Sequence, residues 1–203
     1  MTKAGSTFAA FAILAALAGP AAAEGATQTF FDTSAKKWVT YRITPEAAGA
    51  IAREKYRRTV VRYRTAEQPG TIVVDTDDRW LYYVMPGGKA LRYGIGVGRE
   101  GFLWSGTEKV TRKAEWPGWT PPPEMIRREA AKGRKLPGHV PGGPKNPLGA
   151  RALYLGATEY RIHGTNEDWS IGQAVSSGCI RMLNEDVQDL YEKVKIGTKV
   201  VVL

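Results

Sequence analysis

From Arg58 onward, short apolar runs rich in β-branched and aromatic residues are separated by turn residues, the pattern of successive strands. Val60, Val61 and Tyr63 open the series. Thr71–Asp75 follows the turn Gln68-Pro69-Gly70, and the aromatic, β-branched run Arg79–Met85 follows Asp77-Asp78. Pro86-Gly87-Gly88 then leads into Leu91, Tyr93, Ile95 and Val97, which alternate with Arg92, Gly94, Gly96 and Gly98. Glycines weaken a strand, so their placement predicts close approach of another backbone or a ligand. Ala152–Leu155, Tyr160–His163 and Thr198–Leu203 read as later strands, and Trp38–Ile43 as an early one.

The period changes near the C-terminus. Val187, Leu190, Tyr191 and Val194 recur at helical spacing; Asn184 is placed to cap the helix, Glu185 and Asp186 suit its first turn, and Gly197 ends it. Shorter helices are predicted over Pro45–Lys55 and Glu124–Lys132. Residues 115–149 are irregular, since Pro121-Pro122-Pro123 donate no backbone hydrogen bonds. Their Trp, Pro and Gly content predicts an ordered wall beside a cleft. The tally is about eight or nine strands against two or three helices, a mainly β fold with a few short helices.

The N-terminus carries a different signal. Lys3, the apolar stretch Phe8–Leu17 and the small residues Ala21-Ala22-Ala23 read as a cleavable export signal, too short to span a membrane comfortably. The expected organisation is therefore a signal peptide over 1–23, a lead-in over 24–57 and a catalytic domain over 58–203. No cysteine lies near the cleavage point, which excludes a lipoprotein. A retained N-terminal anchor is the alternative.

Composition then narrows the chemistry. The 203 residues hold one cysteine and two histidines, which excludes a disulfide framework and argues against a buried nitrogen–sulfur metal centre. The formal charge is +9, and loss of residues 1–23 removes only Lys3, leaving +8. Such a surface favours polyanions. The basic residues are dispersed and no nucleic-acid-binding signature accompanies them, so a solvated basic face is expected and no nucleic-acid partner. Gly94-Ile95-Gly96-Val97-Gly98 lacks the spacing of a phosphate loop.

The remaining candidate chemistry lies between Ile162 and Met182. His163 leaves a strand into Gly164-Thr165-Asn166, and Cys179 sits behind Ser176-Ser177-Gly178. An imidazole can take a thiol proton and hold the thiolate as an ion pair, lowering the thiol pKa. Gly178 permits a tight turn whose N–H groups converge, as an oxyanion site requires. Composition alone leaves open an inert, buried cysteine; the Ser-Ser-Gly turn favours a reactive one.

These residues resemble the L,D-transpeptidases with a YkuD-type catalytic domain, including the exported ErfK/YbiS-like members. The resemblance rests on His163-Gly164-Thr165-Asn166 and Ser176-Ser177-Gly178-Cys179-Ile180-Arg181-Met182. It extends to Gly94–Gly98, Trp119–Pro122 and Asn146–Gly149, over roughly residues 70–203. It implies a β-sandwich or barrel-like catalytic domain that needs no metal or organic cofactor. Cys179 would be the nucleophile, His163 the general base and the Gly164 carbonyl its orienting partner. Ser177, Gly178 and Cys179 N–H groups would hold the oxyanion; Arg181 would bind a substrate carboxylate or buttress the turn. Ser177 stands where many members carry a second histidine, so positioning or rate is where a difference is expected.

The implied reaction attacks the third residue of a peptidoglycan tetrapeptide stem, releases D-alanine and passes the acyl group to an amine. The acceptor would be a neighbouring diaminopimelate, giving a 3→3 cross-link, or the lysine of an outer-membrane lipoprotein. An L,D-carboxypeptidase using water and a non-catalytic wall-binding module are the alternatives. The expected location is periplasmic, with no stable membrane span after signal removal.

Overall fold

The computed structural model describes residues 27–32, 37–99 and 103–203. The export signal read over 1–23 lies outside the described residues. In chain order the elements are β1 (Thr27–Asp32), β2 (Lys37–Arg42), α1 (Pro45–Lys55), β3 (Thr59–Arg62), β4 (Ile72–Asp75), β5 (Trp80–Met85) and β6 (Lys89–Gly94). Then come β7 (Val97–Gly98), β8 (Gly106–Glu115), α2 (Pro123–Ala130), β9 (Arg151–Leu155) and β10 (Arg161–His163). A 3-10 turn at Asp168–Ser170, β11 (Ala174–Ser176), β12 (Ile180–Arg181), α3 (Asn184–Lys193) and β13 (Lys199–Val202) complete the chain.

Nine strands form one mixed sheet in the order β12-β10-β9-β8-β13-β4-β5-β6-β3. The interior strand β4 buries Ile72, Val73 and Val74 in succession, as a strand flanked on both sides should. β8 joins the two halves of the sheet. Its first residues pair with β13 and its later ones with β9, with an irregularity between Val110 and Arg112. Ile72, Leu81 and Tyr93 from one half meet Leu153, Ile162 and Ile180 from the other in a single core, which Val187 and Leu190 of α3 complete.

The alternation read through Val97 is interrupted. β6 stops at Gly94, and Val97–Gly98 pairs instead with β11 in parallel. The glycines explain the break. A Cβ on Gly94 would stand 2.2 Å from Tyr56 Cβ, and one on Gly96 would stand 2.5 Å from the Ser170 carbonyl oxygen. The backbone of Gly96 is thereby free to exchange both hydrogen bonds with Arg181, at 2.9 and 2.8 Å. That bridge carries the chain beyond β6 to β12 at the opposite end of the sheet, giving the barrel-like character expected.

Other expectations are corrected in detail. Asn184 does not cap α3: Leu183 holds the N-cap position, and the Asn184 side chain is committed elsewhere. α2 ends at Ala130, short of the expected Lys132, and none of its residues is buried. β8 is a long strand that the sequence pattern did not signal, since Val110 alone of its ten residues is buried. The early helix forms as read over Pro45–Lys55, with Thr44 Oγ1 accepting from the Ala47 N–H at 3.2 Å. Its buried Gly49 faces Asp168 and Trp169, Arg53 pairs with Asp168, and Ala52 joins Tyr56, Ile171 and Leu183 in a small apolar cluster. The lead-in thus packs against the segment that separates His163 from Cys179.

Candidate active site

The parallel register of β10 and β12 sets the site. Ile162 pairs with Ile180 and His163 with Arg181. Both isoleucines point into the core. Side chains alternate along a strand, so Arg161 and His163 emerge on the other face, beside Cys179 and Arg181. These four residues line one cavity of about 380 Å³. Trp119, Pro122, Pro147 and Leu148 form part of its wall, so the irregular segments do border a cleft. Buried Asn146 fixes the second of them: its amide donates to the Val140 and Pro141 carbonyls at 3.0 and 2.9 Å, and its oxygen accepts from the Leu148 N–H at 2.8 Å.

His163 is buried and its ring is oriented by its neighbour. Nδ1 lies 2.5 Å from the Gly164 carbonyl oxygen, which only accepts, so Nδ1 carries the hydrogen and Nε2 is left as an acceptor. Burial, with the positive charges of Arg181 and Arg161 as further causes, lowers the pKa to about 3. The imidazole is neutral at physiological pH.

The loop after His163 is held by Asn184. Its Oδ1 accepts from the Ala150 N–H at 2.8 Å and its Nδ2 donates to the Thr165 carbonyl at 2.9 Å. Gly164 has to be glycine for this contact, because a Cβ there would meet Asn184 Oδ1 at 2.2 Å.

Cys179 follows Gly178, whose φ of 102° lies where a side chain is strained. Ser176 Oγ donates to the Cys179 carbonyl at 2.6 Å, and Trp104 Nε1 donates to the Gly178 carbonyl at 3.2 Å. The Trp104 indole also stacks on Tyr160, ring centroids 4.5 Å apart. Arg128 of α2 donates to Ser177 Oγ at 3.3 Å. The sulfur itself is contacted by the Glu159 carbonyl at 3.8 Å, which takes the S–H, and by Arg161 Nη1 at 3.9 Å.

The shifts at the site run against one electrostatic expectation. Burial pushes the Cys179 thiol up, against the opposing pull of Arg161 and Arg181. With His163 depressed and Cys179 raised, both shifts favour a neutral thiol and a neutral imidazole at rest over a preformed thiolate–imidazolium ion pair.

Arg181 is engaged with Glu167 at 2.8 Å and so supports the loop between His163 and the turn. Trp169 lines a separate cleft with Pro45, Glu46 and Arg53, whereas Trp119 borders the cavity of Cys179. His139 Nδ1 is 3.0 Å from Thr120 Oγ1 in the irregular wall. Sequence reasoning missed Arg161, Trp104 and Arg128, and read Asn184 only as a helix cap. Arg161 alone carried a local signal, since it stands two residues before His163 on a strand.

A YkuD family model, the L,D-transpeptidase catalytic domain, matches residues 69–202, and the chain belongs to that family. It is 42% identical over 137 residues to the probable L,D-transpeptidase ErfK/SrfK of Escherichia coli K12, covering 65% of this chain and 43% of that protein. It is 44% identical over 134 residues to the probable L,D-transpeptidase YbiS of the same strain, covering 64% and 43% respectively. The chain thus spans less than half the length of these relatives. The L,D-transpeptidase from Mycobacterium smegmatis shares the fold, with a TM-score of 0.51 at 15% identity over 89% of this chain and 68% of that one.

Proposed function

We propose that the protein is a cysteine-dependent peptidoglycan L,D-transpeptidase, exported to the periplasm by residues 1–23, with residues 58–203 as its catalytic domain. The observation that supports this reading most directly is the Nδ1–H bond to Gly164, which leaves a neutral Nε2 acceptor on the cavity that also holds Cys179. With both groups favoured in their neutral forms at rest, His163 takes the thiol proton as sulfur attacks the carbonyl of the third stem residue. The C–S bond forms, and the charge on the former carbonyl oxygen is met by N–H groups of Ser177, Gly178 and Cys179. Collapse breaks the C–N bond; imidazolium returns the proton to the leaving D-alanine amine, and a thioester remains. An acceptor amine then attacks the thioester, forming an amide and restoring the thiol. The acceptor is a diaminopimelate side chain of a neighbouring stem or a lipoprotein lysine.

Mass analysis of a tetrapeptide-bearing disaccharide after incubation tests this. Dimers carrying a 3→3 link, with D-alanine released, are the expected main product. Free tripeptide as the main product, with no added amine or lipoprotein peptide able to capture the acyl group, would make the protein an L,D-carboxypeptidase. No turnover of any tetrapeptide would leave a wall-binding module.

A further inference from the structure

The reading above gives the cysteine a base but no counter-charge, and a neutral imidazole on a buried site supplies none before the proton moves. The register of β10 and β12 supplies one from a different residue. Continuing the pairing of Ile162 with Ile180 by one step places Arg161 beside Cys179, as it places His163 beside Arg181. Arg161 Nη1 reaches the sulfur at 3.9 Å, and Arg161 Nε is buried with no hydrogen-bond partner among the described residues. The guanidinium lies over the Tyr154 ring, 5.4 Å from its centroid. Arg181, the other cation on this face, is occupied by Glu167.

We propose that Arg161 is a catalytic residue of this site: its guanidinium is the counter-ion of the Cys179 thiolate, and so sets how readily sulfur gives up its proton and attacks. The inference deepens the transpeptidase reading for Cys179 and rests on it. In the step concerned the S–H bond breaks, the proton passes to His163 Nε2 and the electron pair stays on sulfur. Arg161 keeps its own protons throughout and contributes a fixed positive charge. A guanidinium suits this role because it stays protonated when buried, whereas a lysine in the same place could shed its charge. The other charged or titratable groups lining the cavity of Cys179 are His163 on β10, Arg181 on β12, Glu159 and Tyr160 just before β10, and Glu124 and Arg128 of α2. Against these, Arg161 carries an N–H that reaches the sulfur.

Alkylation of the full chain by iodoacetamide, followed against pH, reads the thiolate without any cell-wall substrate. In Arg161→Gln the midpoint is expected to rise by about one pH unit or more, since an adjacent opposite charge moves a pKa by that amount, and Arg161→Lys to recover part of the shift. A midpoint within about 0.3 unit of wild type, in a variant with native circular dichroism, would overturn the proposal. Wild type gives a second readout should the variants fail to fold. A cation at the sulfur favours anionic iodoacetate, so its rate relative to iodoacetamide is expected above that for free cysteine; an equal or lower ratio overturns the assignment. Tetrapeptide turnover, measured separately, keeps failure of the transpeptidase reading distinct from failure of this one.

Discussion

The Trp104 indole donates to the Gly178 carbonyl at 3.2 Å, so the peptide just before Cys179 is held from outside its own turn. The ring is braced in turn by its stack on Tyr160. Trp104→Phe keeps a ring to stack and removes the donor. It is expected to cost about 0.5–1.5 kcal/mol of stability, the range for one hydrogen bond, and to slow alkylation of Cys179. Urea titration and iodoacetamide kinetics check both; unchanged alkylation would show that the turn holds itself.

Cys179→Ala should abolish product and acyl adduct while leaving the circular dichroism spectrum intact. His163→Ala is expected to reduce turnover by roughly 10²–10⁴-fold, the usual contribution of a general base. Intact-mass analysis with tetrapeptide donor reads both. A loss below about tenfold for His163→Ala would assign the base elsewhere.

Asn184→Ala should be damaging out of proportion to its size. It strips partners from the Ala150 N–H and the Thr165 carbonyl together. Each buried group left unpaired costs about 1–3 kcal/mol, so a clear fall in thermal midpoint is expected, with activity lost in parallel as the loop after His163 loosens. A midpoint equal to wild type would mean that water replaces the amide without cost.

Two buried groups give opposite pH slopes. His163 titrates near 6.5 when unfolded and about 3 when folded, so the unfolded chain binds more protons between those values and stability rises with pH there. Asp186 is displaced the other way, mainly by burial, from 3.8 to about 6, so the folded chain holds the extra proton and stability falls as pH rises across that window. Arg58, 3.7 Å from its Oδ1, offsets only part of this. Urea titrations from pH 4 to 6 should show Asp186→Asn rising more steeply with pH than wild type, and His163→Ala less steeply. Parallel curves for all three chains would contradict both displacements.

What the sequence made legible followed from local period and turn chemistry. Turn-bounded apolar, β-branched and aromatic runs located β4, β5 and β9, and the Gly-rich strand correctly implied a close neighbour, which proved to be Tyr56 and the Ser170 carbonyl. β8 was invisible because it is held by β13 and β9 on either side and buries little of its own surface. Asn184 looked like a cap because caps are local, whereas its partners, Ala150 and Thr165, come from other segments. At the site, the positions of His163 and Cys179 could be read from the chain, but their charge states could not. Protonation depends on burial and on Arg161 and Arg181, which only the strand pairing brings together.

The pairing of β10 with β12 also makes the site all-or-none. Residues on one face of a strand recur every second position, so a slip of a single residue would swing Cys179 into the apolar interior and offer Ile180 to the cavity. No partly reactive arrangement lies between those two states. The stretch between Gly164 and Ser177 carries part of that constraint, because Glu167 is tied to Arg181 and β11 to Val97–Gly98, so a change of its length would pull on the register itself.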